Sequence, residues 1–126
     1  MKIRLITAIS LIVLAVCFAV FCLHYVNRTT QQLTDALEWA IEAAQEQSLE
    51  WEVATHEVTQ LWQRSRSFLH VLFPHQNLNE LEWAVGALPQ YLRMRDAPLF
   101  IEHAVRGLQT VNTIREMERP TLGNIF

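Results

Sequence analysis

The chain has 126 residues, 51% of them apolar and 18% charged, and a net charge of −3. That length holds one small domain beside an apolar segment. All 13 acids lie beyond His24, while two of the 10 Lys and Arg residues precede the apolar segment. Such a domain lacks the basic footprint that nucleic acid needs and is too acidic to lie flat on anionic lipid.

The first element is the apolar run from Leu5 to Leu23, preceded by Lys2 and Arg4. Its only polar residues are Thr7 and Ser10, and it contains no ionised side chain. At a rise of ~1.5 Å per residue it extends roughly 28 Å, the thickness of a bilayer's hydrocarbon core. A cleaved signal peptide has a shorter core and ends on small residues. Here the run ends Ala19-Val20-Phe21-Cys22-Leu23, which suits cleavage poorly. Leu14-Ala15-Val16-Cys17 is close to a lipobox, but Val16 stands where a small residue is required. The favoured reading is an uncleaved transmembrane helix with residues 1–26 as stub and span and residues 27–126 as the domain. Lys2 and Arg4 outweigh Arg28, so the positive-inside rule keeps the N-terminus in the cytoplasm and the domain outside. Both cysteines, Cys17 and Cys22, lie within the run, which leaves the domain without a disulfide or zinc-thiolate site.

No Gly or Pro occurs between Met1 and Phe73. The span and first domain helix should therefore be one helix from about Ile3 to Glu46, weakest over Asn27, Thr29 and Thr30. Its apolar stripe is Leu33, Leu37, Ala40, Ile41 and Ala44. A second helix carries Trp51, Ala54, Val58, Leu61, Trp62, Ser65, Phe68, Leu69 and Leu72, with Ser48 as its cap and Pro74 as its end. A third carries Leu78, Leu81, Ala84, Val85, Leu88 and Leu92, capped by Asn77 or Asn79, with a kink or early end expected at Pro89. A fourth carries Ile101, Ala104, Val105, Leu108, Val111 and Ile114, capped by Asp96 and stopped by Pro120. Leu37-Glu38-Trp39-Ala40 is echoed by Leu81-Glu82-Trp83-Ala84, and His56, Val58 and Leu61 by His103, Val105 and Leu108. The expected fold is all-α: a transmembrane helix followed by an antiparallel four-helix bundle, with two repeated helical hairpins as a variant of it.

The order of these features resembles a family of small, membrane-anchored, helical proteins of Gram-positive bacteria, described only as a domain of unknown function. The resemblance runs over the whole chain. It is carried by the basic-then-apolar N-terminus, the spacing of Trp51, Ala54 and Trp62, and Phe73-Pro74-His75 ahead of Leu78. The ending Glu116-Met117-Glu118-Arg119-Pro120-Thr121-Leu122-Gly123-Asn124-Ile125-Phe126 is its most distinctive part. The resemblance implies a fold, a place in the bacterial cell membrane and a multi-spanning membrane partner. It implies no activity, cofactor or catalytic residue.

Candidate chemistry is sparse. His56 and His70 stand roughly 21 Å apart along one helix, His70 and His75 are closer but Pro74 breaks the helix between them, and His103 has only Glu102 beside it. No metal, cofactor or catalytic site is expected, and no nucleophile motif or phosphate loop occurs. Trp51 and Trp62 fall on the core face. Trp39 and Trp83 each lie about 200° from the Leu two residues earlier, on the back of their helices. In stacked hairpins helix 3 would be sandwiched and could bury Trp83, whereas helix 1 would be terminal and leave Trp39 open; the alternative is that Trp39 lies on the flank of its neighbour, half covered. Trp39 and Trp83 are the partner-binding candidates, since an exposed Trp marks binding surfaces. Leu122, Ile125 and Phe126 are too apolar for a solvated end, so the tail is expected to turn at Gly123 and Asn124 and dock on the bundle, with Glu118 accepting hydrogen bonds. An unbound tail captured by a partner is the alternative. The functional expectation is a non-catalytic interaction or scaffold subunit of an envelope complex, held in lipid through Leu5–Leu23. Its rivals are a homo-oligomer, which Ala8, Ala15 and Ala19 would let pack closely, and an accessory part of an envelope enzyme.

Overall fold

The computed structural model describes the backbone of residues 1–125 and the side chains of residues 1–117. Four helices account for nearly all of it: α1 (Lys2–Glu46), α2 (Glu50–Leu72), α3 (His75–Met94) and α4 (Ala97–Ile125). No strand occurs among the described residues. α1 is a single helix of 45 residues, about 68 Å long, as the lack of breakers predicts. Its weakest stretch holds because the threonine hydroxyls bond within the helix. Thr30 Oγ1 donates to the Val26 carbonyl at 2.8 Å, and Thr34 Oγ1 donates to that of Thr30 at 2.8 Å. These hydroxyls are buried in the bundle, so back-bonding satisfies them where water cannot.

The connections are very short and make consecutive helices antiparallel. α1 ends in a left-handed residue, Gln47 (φ 49°), with the Ser48 N–H donating to the Ala43 carbonyl at 3.1 Å. α3 ends the same way at Arg95 (φ 55°), with the Asp96 N–H donating to the Tyr91 carbonyl at 3.0 Å. Both turns are of the Schellman type and both serve non-glycine residues. Between α2 and α3 the chain reverses through extended Phe73, the backbone state that the following Pro74 favours.

Asp96 caps α4 as expected, its Oδ1 accepting from the Leu99 N–H at 3.2 Å. Other end signals read differently. Ser48 does not cap α2, because it completes the turn that closes α1, and its buried hydroxyl has no partner. α3 starts at His75, directly after Pro74, with no side-chain cap. Asn77 instead donates from Nδ2 to Met117 Sδ at 3.0 Å. Pro89 does not end α3, which runs on to Met94. Pro120 does not stop α4 either, since its backbone is helical through Ile125. Each proline removes one backbone donor, a local loss that neighbouring turns of a long helix outlast.

The backbone of each helix lies against two others, in the order α1–α2–α3–α4 and back to α1, while large side chains such as Trp51 and Phe100 meet across the α2–α4 diagonal. The bundle is therefore a closed ring, the antiparallel four-helix arrangement expected, and the open stack that would leave α1 terminal does not form. A stack leaves two helices with one inter-hairpin face empty; closing α4 onto α1 covers both apolar seams at once.

The core begins at Val26 and comprises Leu33, Leu37, Ala40 and Ala44 of α1, Trp51, Val58, Trp62 and Leu69 of α2, Leu78, Leu81, Val85 and Leu88 of α3, and Phe100, Ala104, Val111 and Ile114 of α4. Trp51 and Phe100 meet edge to face at 5.2 Å and fill the end remote from the N-terminus. Ala104, Val111 and Ile114 of the expected α4 stripe are buried, but the first turns of the helix are rotated by about one residue from expectation. Phe100 is fully buried, Ile101 only partly so, and Val105 is exposed. The true inward row is Ala97, Phe100, Ala104, Gly107, Val111 and Ile114, with Gly107 at the closest approach to α1 and α3. A Cβ there would lie 3.7 Å from Ala84 Cβ and 3.8 Å from Leu37 Cδ1.

Two stability outcomes follow from this packing. Trp62→Ala removes a ring that is 4% exposed and should lower unfolding free energy by roughly 3–5 kcal/mol in a denaturant titration of the detergent-solubilised chain. Gly107→Ala meets only ordinary contact distances and should leave stability unchanged or raise it by up to about 1 kcal/mol, whereas Gly107→Leu should separate α4 from the ring and lower the melting temperature sharply.

Candidate interaction surface

Among the described residues no group of three or more His, Cys, Asp or Glu side chains is placed to hold a metal ion. Pro74 breaks the helix between His70 and His75, and the tight reversal there brings their Nδ1 atoms to 3.2 Å. One ring N–H donates to the other ring's lone pair, and the rings lie 5.3 Å apart at 34°. The carboxylates lie on solvated faces. The one ion pair among the described residues, Arg66 Nη2 to Glu82 Oε1 at 2.7 Å, joins α2 to α3 with both partners substantially exposed. Pairs of that kind contribute at most about 1 kcal/mol.

The tryptophans divide as ring closure dictates. Trp51 and Trp62 are core, as their stripe implies, and both indole N–H groups are buried without a partner. Trp39 is not open to solvent as a terminal helix would leave it. It lies in the α1–α2 seam, packs against the core and donates from Nε1 to Glu50 Oε2 at 3.2 Å. Beside it is an open groove of about 320 Å³ lined by Gln32, Asp35, Ala36, Glu57 and Leu61.

Trp83 is the reverse. No hairpin covers it, and it is 56% exposed, the most exposed tryptophan of the bundle. It projects from α3 at the seam with α4, and α4 supplies its neighbours. The His103 ring lies 5.0 Å from it and the Arg106 guanidinium carbon 5.5 Å from its centroid. Tyr91 extends the row, 4.8 Å from His103. His103 is oriented from below by its own helix, Nδ1–H donating to the Leu99 carbonyl at 3.0 Å. Next to Trp83 on the outer face, Gly86 has nothing within 4 Å of where a Cβ would stand, so the surface falls away beside the indole. Arg106 continues into a groove of about 200 Å³ formed with Asn77, Glu80, Gln109, Thr110 and Thr113. Tyr91, His103, Trp83 and Arg106 thus form a continuous aromatic and cationic row along one seam. Such a row presents surfaces suited to stacking and cation–π contact.

Sequence reasoning identified Trp83 but not its companions. His103 and Arg106 recur at the three-residue spacing that places them on one face of α4, a signal masked because the facing helix could not be assigned. The candidate tail residues Glu118, Leu122, Asn124, Ile125 and Phe126 lie outside the residues whose side chains are described. The backbone there is helical through Ile125, so the turn expected at Gly123 and Asn124 is not formed.

The two outer tryptophans should separate in mutagenesis. Trp83→Ala should alter stability by less than about 1 kcal/mol, since little burial is lost. Trp39→Ala should cost more, about 1–2 kcal/mol, through lost packing and the broken hydrogen bond to Glu50. Thermal or denaturant unfolding of the two variants side by side checks the order.

No curated protein and no solved structure shows a significant match to the chain. A family model does: residues 20–125 match the domain of unknown function DUF4363. The match begins inside the last turns of the apolar run and covers the whole four-helix ring, and on that extent the chain belongs to the DUF4363 family.

Proposed function

We propose that this protein is a single-pass protein of the bacterial cell membrane whose bundle stands on the extracytoplasmic side as a non-catalytic interaction subunit of an envelope complex. The observation that carries the anchor is α1 itself, whose apolar half is wholly exposed and long enough to span a bilayer. The observation that carries the interaction role is the exposed Trp83 row, where a half-open indole is flanked by Arg106 and His103. Tryptophan and arginine are the residue types most enriched among binding hot spots. A partner that spans the membrane, fixed in the same bilayer, would meet this row at a constant height, because α1 has no hinge between span and bundle. Lys2 and Arg4 against Arg28 favour the outward orientation.

Affinity capture from detergent extracts with the full-length chain should recover a membrane protein, and Trp83→Ala should reduce that recovery far more than Trp39→Ala. Recovery of the chain alone, cross-linked to itself, would replace this reading with a homo-oligomer. Orientation is checked separately by introducing Gln63→Cys in a background lacking Cys17 and Cys22. Gln63 is exposed and should react with a membrane-impermeant thiol reagent on intact cells. Reaction only after lysis would place the bundle in the cytoplasm.

A further inference from the structure

The end of the bundle nearest the span carries apolar side chains that the ring does not cover. Val71 is 81% exposed and Leu72 38% exposed, on the last turn of α2, and both follow Phe68 at helical spacing. Their height relative to α1 is set by a ring contact: Phe68 meets Tyr25 edge to face at 4.5 Å. Tyr25 in turn stacks on Phe21 at 6.4 Å, inside the apolar run. α2 is antiparallel to α1, so each residue beyond Phe68 descends alongside α1 toward its N-terminus. Phe73, five residues and about 7.5 Å further, stands level with Val20. The α2–α3 reversal therefore lies beside the last turns of the run Leu5–Leu23, not above it.

α1 and α2 carry no acid near this end: none occurs between Glu57 and Glu80 or anywhere before Asp35. Arg28 on α1 and Arg64 and Arg66 on α2 stand close to it, Arg66 paired with Glu82 of α3 at 2.7 Å, and Arg115 of α4 is followed by Glu116. His70, Gln76 and Asn77 edge the apolar turn with polar groups. Tyr25, a residue type of membrane–water interfaces, lies between Phe21 and Phe68 at the boundary of run and bundle.

We propose that the α2–α3 reversal is a second membrane contact: Val71 and Leu72, with the uncovered edges of Phe68 and of Phe73, which otherwise packs against the core, enter the headgroup and upper acyl region of the bilayer that α1 crosses, seating the bundle end-on against the membrane. This rests on the reading of α1 as a span. The occupant is bilayer lipid, because the patch is continuous through Phe68, Tyr25 and Phe21 with the segment that lipid surrounds. Such seating gives the bundle two points of attachment, which fixes its tilt and the direction in which the Trp83 row faces.

The test uses the full-length chain with Cys17→Ser and Cys22→Ser, carrying one new cysteine at a time. Leu14→Cys reports the span, Val71→Cys the reversal and Leu49→Cys the opposite end, where Leu49 is 98% exposed. Each is labelled in detergent with a polarity-sensitive fluorophore and reconstituted into phosphatidylethanolamine–phosphatidylglycerol vesicles with nitroxide lipids. The expected pattern is strong quenching by deep nitroxides at Leu14→Cys, strong quenching by shallow nitroxides with a blue-shifted emission at Val71→Cys, and neither at Leu49→Cys. Quenching at Leu14→Cys with none at Val71→Cys overturns the seating while leaving the anchor standing. A blue shift at Val71→Cys without nitroxide quenching assigns the patch to a second protein copy and also overturns it. No quenching at Leu14→Cys removes the anchor reading and the seating with it.

Discussion

The continuity of α1 is the constraint on which the rest depends. One helix of 45 residues supplies both an apolar stem and one wall of the bundle. Because helix formation adds a bond for each further residue ordered, and nothing in the sequence interrupts it, the stem and the wall share one axis. A flexible linker would have left the bundle free to sample orientations about its tether. A shared axis transmits position and rotation directly from the apolar half to the folded half. The threonines at the boundary reinforce this by bonding back into their own helix, so burial costs no unsatisfied hydroxyl at Thr30 or Thr34.

Ring closure is the second determinant, and it assigns the outer surface. The paired segments around Trp39 and Trp83 lie on α1 and α3, which stand diagonally opposite in the ring. Leu37 with Ala40 and Leu81 with Ala84 point inward to the same degree, so the echo in sequence is an echo in burial. The likeness does not extend to α2 and α4, where Val58 is buried and Val105 exposed. Two-fold regularity therefore holds for one diagonal of the ring and not the other. The two tryptophans differ because their neighbours differ. Glu50, on the helix that follows α1, holds the Trp39 indole in its seam, while Arg106 and His103 lie against Trp83 and leave it exposed.

The polar residues of the bundle lie mostly at its surface, and the buried ones among the described residues are threonines and a serine. The grooves are open and lined from two helices each, and the titratable groups beside them lie on solvated faces. The acids of α1 and α2, Asp35 through Glu57, all lie toward the end remote from the apolar stem, whereas α3 carries Glu80 and Glu82 toward the stem and Arg93 toward the remote end.

Periodicity and the absence of breakers were enough to read the helix count, the long first helix, three of the four core stripes and the roles of Trp51 and Trp62. Each of those depends on local spacing, which a chain displays residue by residue. The register of α4 was not legible, because choosing Phe100 over Ile101 depends on which two helices flank it. Nor was the fate of Ser48, whose capping capacity was lost to the closing turn of α1. The pairing of His70 with His75 needed the Phe73–Pro74 reversal, whose geometry brings five-residue neighbours together across a helix break. The order of exposure of Trp39 and Trp83 inverted for the same reason. Local sequence determined which side of its own helix each indole occupies, and only the closure of α4 onto α1 decided what stood opposite that side. Apolar area is buried by whichever neighbours complete the ring, and that choice is made by the whole molecule rather than by any one helix.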